Sequence, residues 1–299
     1  MKFSVYFQET RPQFLILTPM CWMVGLGTAS ISLKGVGNIP WGYAILALVG
    51  ALFAHVAVNV LNDYFDYRSG LDLKTRPTPF SGGSTLLPRR LMRPEGALAM
   101  GIISLGVVVA IGLYFLKVRG WAILPLGLLG ILVVILYTPW VTKNPLLCLI
   151  APGLGFGPLM VMGTHFVLVG RYDWLALWAS LVPGLLVSNL LLINQFPDVE
   201  ADRQVGRLHF PIKIGRRASA RLYALLALAT FAWIALAVLW GLLPPWGLLA
   251  LLPLPLCIIT VRGVMRYAEK IDALIPFLGK NVLYTLLTPL LLGVGLLLG

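Results

Sequence analysis

Long apolar runs follow one another through this chain, and each helical crossing of a hydrocarbon core takes about 20 such residues. Nine runs qualify: 13–33, 41–62, 96–116, 121–137, 146–169, 174–196, 219–240, 245–261 and 276–298. Backbone groups in hydrocarbon must be satisfied within their own segment, so runs of this kind fold as helices. The expected fold class is therefore all-α, a polytopic membrane protein of about nine transmembrane helices in one bundle. Composition agrees: a soluble domain is about 25 % charged, whereas this chain is 11 % charged and 59 % hydrophobic. Met1 to Arg11 is short and polar, and further spans rather than a cleavage site follow, so no cleaved signal is expected. The three cysteines, Cys21, Cys148 and Cys257, sit inside apolar runs without Cys-x-x-Cys spacing and read as small buried hydrophobes.

Basic residues orient the bundle. With the N-terminus inside, 19 of the 23 Lys and Arg residues fall on the inner side, leaving Lys34, Lys117, Arg119 and Arg171 outside. This bias predicts an integral, multi-pass protein of a bacterial-type inner or plasma membrane, with cytoplasmic N-terminus and loops. The formal charge of +12 then reflects the bilayer rather than nucleic acid, which is not an expected partner. Trp41, Trp121, Trp140 and Trp174, near span ends, read as interfacial anchors.

Acid is scarce, with 11 Asp and Glu in 299 residues, yet six cluster in two stretches. The first holds Asn59, Asn62, Asp63, Asp66 and Asp72 at the end of the second span; the other holds Asn194, Asp198, Glu200 and Asp202 at the end of the sixth. Charge at a bilayer edge is costly without an ion, a partner or water. Asn59-x3-Asp63, Asn62-x3-Asp66 and Asn194-x3-Asp198-x3-Asp202 form a faint internal repeat. Residues four apart share a helix face, so each stretch is expected to present a row of oxygen ligands. Two such rows facing each other suit Mg²⁺ with a diphosphate between them. Arg68, Lys74, Arg76, Arg203, Arg207 and Lys213 are interleaved and suit the remaining phosphate charge. Apolar spans behind would take a hydrocarbon tail.

Blander readings stand beside this one. An acidic loop beside arginines is often only a solvated surface, and clustering in an acid-poor chain argues against it. His55 and His165 read as packed or pore-lining, and His209 as a surface residue. An ion-coupled transporter would place its acids at mid-span rather than at span ends. A phosphatidyl-alcohol transferase would carry a longer Asp-Gly-x-x-Ala-Arg signature. Segment 77–88, rich in Pro, Gly and Ser, reads with 203–213 as a cover over the site.

At these residues the chain resembles the UbiA superfamily of membrane prenyltransferases. Asn62-Asp63-x-x-Asp66 with Gly70 and Asp72 looks like its first Asp-rich motif, and Asp198-x3-Asp202-Arg203-x2-Gly206 like its second. Pro79-Phe-Ser-Gly-Gly-Ser84, Tyr137-Thr-Pro139 and Phe156-Gly-Pro-Leu-Met-Val-Met-Gly163 resemble the 1,4-dihydroxy-2-naphthoate polyprenyltransferases of menaquinone biosynthesis. The resemblance implies one prenyltransferase domain over 1–299, a bundle around a central cavity, Mg²⁺ dependence, a polyprenyl diphosphate donor and an aromatic acceptor. Asp63, Asp66, Asp198 and Asp202 would bind the metal and its diphosphate, helped by Asn59, Asn62 and Asn194, with Asp72 closing the first motif. Arg203 and Lys213 would meet phosphate, with Tyr137 and Lys143 beside the diphosphate and the cation. Two departures concern the acceptor. Gly206-Arg-Leu-His-Phe-Pro211 replaces the usual Gly-Lys-x-Thr-Leu, and residues 144–153 lack the Gly-Glu pair common in the naphthoate branch. Hydroxybenzoate, homogentisate, chlorophyllide, haem and glyceryl acceptors remain alternatives.

Overall fold

Each apolar run is a helix in the structure, a computed structural model that describes residues 3–299. Lys2, one of the basic residues counted on the inner side, lies outside the described residues. After a short helix Phe3–Glu9, the spans are α1 Pro12–Ser32, α2 Trp41–Ser69, α3 Pro94–Arg119, α4 Trp121–Leu136, α5 Pro145–Val169, α6 Trp174–Asn194, α7 Gly215–Leu239, α8 Pro245–Tyr267 and α9 Ile271–Leu298. Among the described residues there is no strand, and eight of these helices are long and apolar enough to cross a membrane. The ninth, α4, is shorter. At about 1.5 Å per residue it falls a few ångströms short of a bilayer core.

Small residues let the central helices touch. A Cβ on Gly293 of α9 would lie 2.8 Å from Met23 Cβ of α1, and one on Gly157 of α5 would lie 2.7 Å from Gly184 Cα of α6. Such close approach is how helices pack where lipid removes the hydrophobic drive between them. Residues 155–162 of α5 form a π-helical turn around Pro158, whose missing N–H and bulky ring break the α ladder. Val24, Val161, Leu186, Phe231, Ile234, Tyr284 and Leu292 belong to one buried cluster at the heart of the bundle. In contrast α3 and α4 turn large side chains such as Ile102, Ile103, Leu113, Leu128 and Leu132 outward, as lipid-facing helices do.

The two acid stretches end their helices differently. α2 continues past residue 62 to Ser69 and is closed by Gly70 at φ 76°, so Asp63 and Asp66 lie on the helix itself. The second stretch is not one helical row, which corrects the expectation from its four-residue spacing. α6 stops at Asn194, residues 195–198 turn, and a separate short helix Val199–Gln204 carries Asp202. Pro197 is the reason: it disfavours helical backbone at the residue before it and lacks the N–H that a continuous helix needs.

Candidate active site

The bundle encloses a cavity of about 450 Å³ whose wall includes Asn59, Asn62, Asp66, Asp72, Asn194, Asp198 and Asp202 at one end. Two segments far apart in sequence therefore bring their oxygens to one place. Arg207 joins them: one guanidinium nitrogen donates to Asp202 Oδ1 at 3.0 Å, and the other donates to Asp66 Oδ1. His209 Nε2 lies 2.9 Å from Asp202 Oδ2. Leu208 between them donates its backbone N–H to Thr142 O at 2.9 Å, which fixes the segment after the second stretch over the cavity.

Loop 81–84 closes the acid end from the other side. Ser84 N–H donates to Asp63 Oδ2 at 2.9 Å, and Ser81 lies near enough to Asp198 to lower its carboxyl pKa, so one tight loop reaches both stretches. Gly82 and Gly83, at φ 89° and 70°, permit the turn. The N-terminal segment locks the loop in place. Ser84 Oγ donates to Glu9 Oε2 at 2.7 Å, Asn59 Nδ2 donates to Thr10 O at 3.1 Å, and Arg11 lies 3.5 Å from Asp63.

So much acid in one place perturbs its own protonation. Burial, together with the Asp66 and Asp63 charges, pushes the Asp72 carboxyl up to about 8. Burial and the Asp202 charge push Asp198 up to about 7. Burial and the Asp63 charge push Glu9 up to about 7. These carboxyls release their protons to solvent more readily once positive charge is supplied beside them. Burial also holds the Tyr137 phenol above its ordinary range, so it stays a hydrogen-bond donor.

The sequence-derived candidates divide cleanly. Asn59, Asn62, Asp66, Asp72, Tyr137, Asn194, Asp198, Asp202 and Arg207 line the cavity. Asp63 lies behind its wall, 1 % exposed beneath Ser84. Arg68, Lys74, Lys143, Arg203 and Lys213 are exposed and do not line it. Arg203 faces Glu200 and Arg76 faces Asp272 instead. His209, expected on the surface, is 2 % exposed because the 207–209 turn folds inward onto Asp202. Arg11, Glu9 and Ser84 were missed; Arg11 and Glu9 precede an apolar run but lie 52 and 75 residues from their partners Asp63 and Ser84. His55 lines the cavity and His165 is packed against Thr28, as expected. The three cysteines are buried and free.

A donor set made of carboxylate and amide oxygens suits a hard cation such as Mg²⁺. Asp63 Oδ1 and Asn194 Oδ1 are buried without a hydrogen-bond partner, which leaves oxygen available for one. Among the described residues no three acids already converge as a metal cluster, and Arg207 pairs with both Asp66 and Asp202. A cation entering here would compete with that guanidinium for the same two carboxylates.

A family model described as the UbiA prenyltransferase family matches residues 20–293. The chain is similar to the 1,4-dihydroxy-2-naphthoate octaprenyltransferase of Escherichia coli (strain K12), 30 % identical over 306 residues covering 99 % of this chain and 96 % of that protein. It is similar to the enzyme of the same name from Bacillus subtilis (strain 168), 24 % identical over 269 residues covering 88 % and 83 %. Its fold matches a UbiA homolog from Aeropyrum pernix K1 solved in the apo form, with TM-score 0.68 at 17 % identity over 96 % of this chain and 98 % of that one. It also matches a UbiA homolog from Archaeoglobus fulgidus solved with GPP and Mg²⁺, with TM-score 0.64 at 14 % identity over 99 % and 100 %.

Proposed function

The chain belongs to the UbiA prenyltransferase family, and from that premise we propose that it moves a polyprenyl group from a polyprenyl diphosphate onto 1,4-dihydroxy-2-naphthoate. The observation that carries this reading is the meeting of the two acid stretches at one end of an otherwise apolar cavity. A diphosphate fits the charged end, and a hydrocarbon tail fits the apolar remainder. The acceptor is supported by the names of relatives that cover most of the chain.

Mg²⁺ would be held by Asp63, Asp66, Asp198 and Asp202, and when bound it would withdraw charge from the diphosphate. Asn59, Asn62 and Asn194 would orient that group from the same wall, and Asp72 would close it. Arg207 and Arg11 line the cavity where Arg68, Lys74, Lys143, Arg203 and Lys213 do not, and would be the cations that meet the phosphate oxygens. Tyr137 would donate a hydrogen bond beside them. The allylic C–O bond breaks, and its electron pair leaves with the diphosphate. The ring carbon bearing the carboxylate then forms the new C–C bond, and loss of CO₂ returns an electron pair to the ring. Loop 81–84 and segment 207–209 exclude water that would otherwise capture the cation. The charge bias supports a cytoplasmic position for this end of the bundle.

The test uses purified protein, a set of prenyl diphosphates and a panel of aromatic and glyceryl acceptors, read by mass spectrometry. Prenylated, decarboxylated naphthoate is expected, abolished by EDTA and restored by Mg²⁺. Asp66→Ala, Asp198→Ala and Asp202→Ala should each remove it without loss of folded protein. Transfer only to a different acceptor would replace the naphthoate assignment. Full activity in two of the three variants would remove the metal assignment.

A further inference from the structure

His55 stands in the cavity wall below the acid end, on the same face of α2 as Asn59, Asn62 and Asp66. Spacings of four, three and four residues keep these four side chains in one stripe. At about 1.5 Å per residue, His55 lies about 6 Å along the helix from Asn59 and about 16 Å from Asp66. That is deeper in the cavity than the acid end, at a depth where the reacting carbons, the tail or the acceptor would sit.

The ring is held on two sides. His55 Nδ1 lies 2.8 Å from Thr18 Oγ1 of α1, and the ring meets Phe156 of the π-helical turn edge-on at 4.8 Å. Thr18 is fully buried, and its hydroxyl has no other hydrogen-bond partner among the described residues. That hydroxyl proton is therefore best used on Nδ1, which assigns the ring proton to Nε2. Nε2 makes no hydrogen bond to the described protein, so the cavity meets an unspent N–H donor. Leu17, Ala51, Ala54, Leu159 and Met160 also line the cavity, and Arg11 is the charged side chain that acts on the ring.

A prenyl tail cannot accept a hydrogen bond, and a donor left without a partner in an apolar channel is costly. A hydroxy-aryl acid removes that cost, since its oxygens accept and its flat apolar ring suits the cavity wall that Phe156 helps to line. We infer that His55, oriented by Thr18, recognises an oxygen substituent of the aromatic acceptor and so selects the acceptor rather than the donor. This inference rests on the aromatic-acceptor reading above.

The experiment separates the two substrates. Steady-state kinetics of the full-length protein in nanodiscs would give KM for acceptor and for donor in wild type, His55→Phe, His55→Gln and Thr18→Val. Binding of 1-hydroxy-2-naphthoate without donor would be measured by calorimetry. His55→Phe should raise the acceptor KM by about tenfold or more, the effect of losing one hydrogen bond to a charged or polar oxygen. The donor KM should stay within about twofold, and naphthoate binding should weaken in parallel. His55→Gln, which restores an N–H, should recover part of the loss, and Thr18→Val should show a smaller rise with the same split. Thr18→Val and His55→Gln keep the packing, so misfolding of the phenylalanine variant leaves the test intact. A rise in donor KM alone, or no change in either, would overturn the assignment while wild-type naphthoate transfer still stood. Wild-type protein that prenylates no aromatic acceptor would instead overturn the proposed function, and this inference with it.

Discussion

Arg207 and Asp202 are 3.0 Å apart across the turn that follows the second acid stretch, and the same guanidinium reaches back to Asp66 on α2. One arginine thus neutralises one carboxylate from each half of the site. Its side chain is 16 % exposed, and those of Asp66 and Asp202 are 10 % and 3 % exposed, so the three charges share a poorly solvated space. Removing the arginine leaves two acids facing each other with less compensation.

Arg207→Gln should therefore lower stability in EDTA, since stripping one partner from a buried charge pair costs about 3–5 kcal/mol. It should also reduce prenyl transfer by about 100-fold or more, as loss of a phosphate-facing cation does. Mg²⁺ should recover more Tm in this variant than in wild type, because a cation then substitutes for the guanidinium. Equal Mg²⁺ responses, measured by thermal unfolding in detergent, would show that Arg207 and the metal do not share Asp66 and Asp202.

Glu9 yields a prediction with a defined sign. Its carboxyl is pushed from 4.5 to about 7 by burial and by the Asp63 charge. The folded state therefore binds this proton more tightly than the unfolded state does. The associated stability is fully present below about pH 4.5 and is lost as pH rises through about 7. Wild-type Tm in EDTA should fall between about pH 5 and pH 8, and Glu9→Gln should flatten that fall because the amide keeps the Ser84 contact without titrating. Parallel Tm curves for the two proteins would remove Glu9 from the linkage.

The helices were legible because each apolar run carries its own signal over some twenty residues. The site was legible in part because acid is rare here, so Asp63, Asp66, Asp198 and Asp202 stand out without any knowledge of packing. The arginines had no such contrast. Arg68, Arg203 and Arg207 look alike in sequence, and only the inward turn held by Leu208 on Thr142 selects Arg207. His209 follows that turn inward, and no local pattern distinguishes it from a surface histidine. Arg11 meets Asp63 across some fifty residues and Glu9 meets Ser84 across 75, closures that chain order does not encode locally. The four-residue spacing from Asn194 to Asp202 looked helical, and Pro197 broke it.

The orientation is open to direct labelling. Arg89→Cys lies in the exposed loop after α2 and Arg171→Cys in the exposed connection before α6, while the three native cysteines are buried. With the charge bias as the guide, an impermeant maleimide should label position 89 only from the cytoplasmic face and position 171 only from the opposite face. Reversed labelling in sealed vesicles would move the active-site end of the bundle to the other side.

Gly83 carries the sharpest prediction about water. Its φ of 70° disfavours any side chain, and an added Cβ would lie 3.2 Å from Asp63 Oδ1 and 3.3 Å from Asp72 Oδ1. Gly83→Val thus meets two obstacles. The backbone costs about 1–2 kcal/mol in the left-handed region, and the side chain presses on the acids that the loop covers. The cheapest escape is for loop 81–84 to lift, releasing Ser84 N–H from Asp63 and moving Ser81 away from Asp198. A lifted loop admits water to the prenyl cation, which then leaves as prenyl alcohol instead of reaching the ring. Transfer should slow by about tenfold, consistent with the strain. The ratio of prenyl alcohol to prenylated product, quantified by chromatography at matched diphosphate consumption, should rise. Gly70→Val is the control, because Gly70 also has positive φ, at 76°, but a Cβ there meets nothing within 4 Å. Its backbone strain should slow the enzyme without shifting the product ratio. An unchanged ratio in Gly83→Val, with donor still consumed, would mean that the helices behind the site exclude water without the loop.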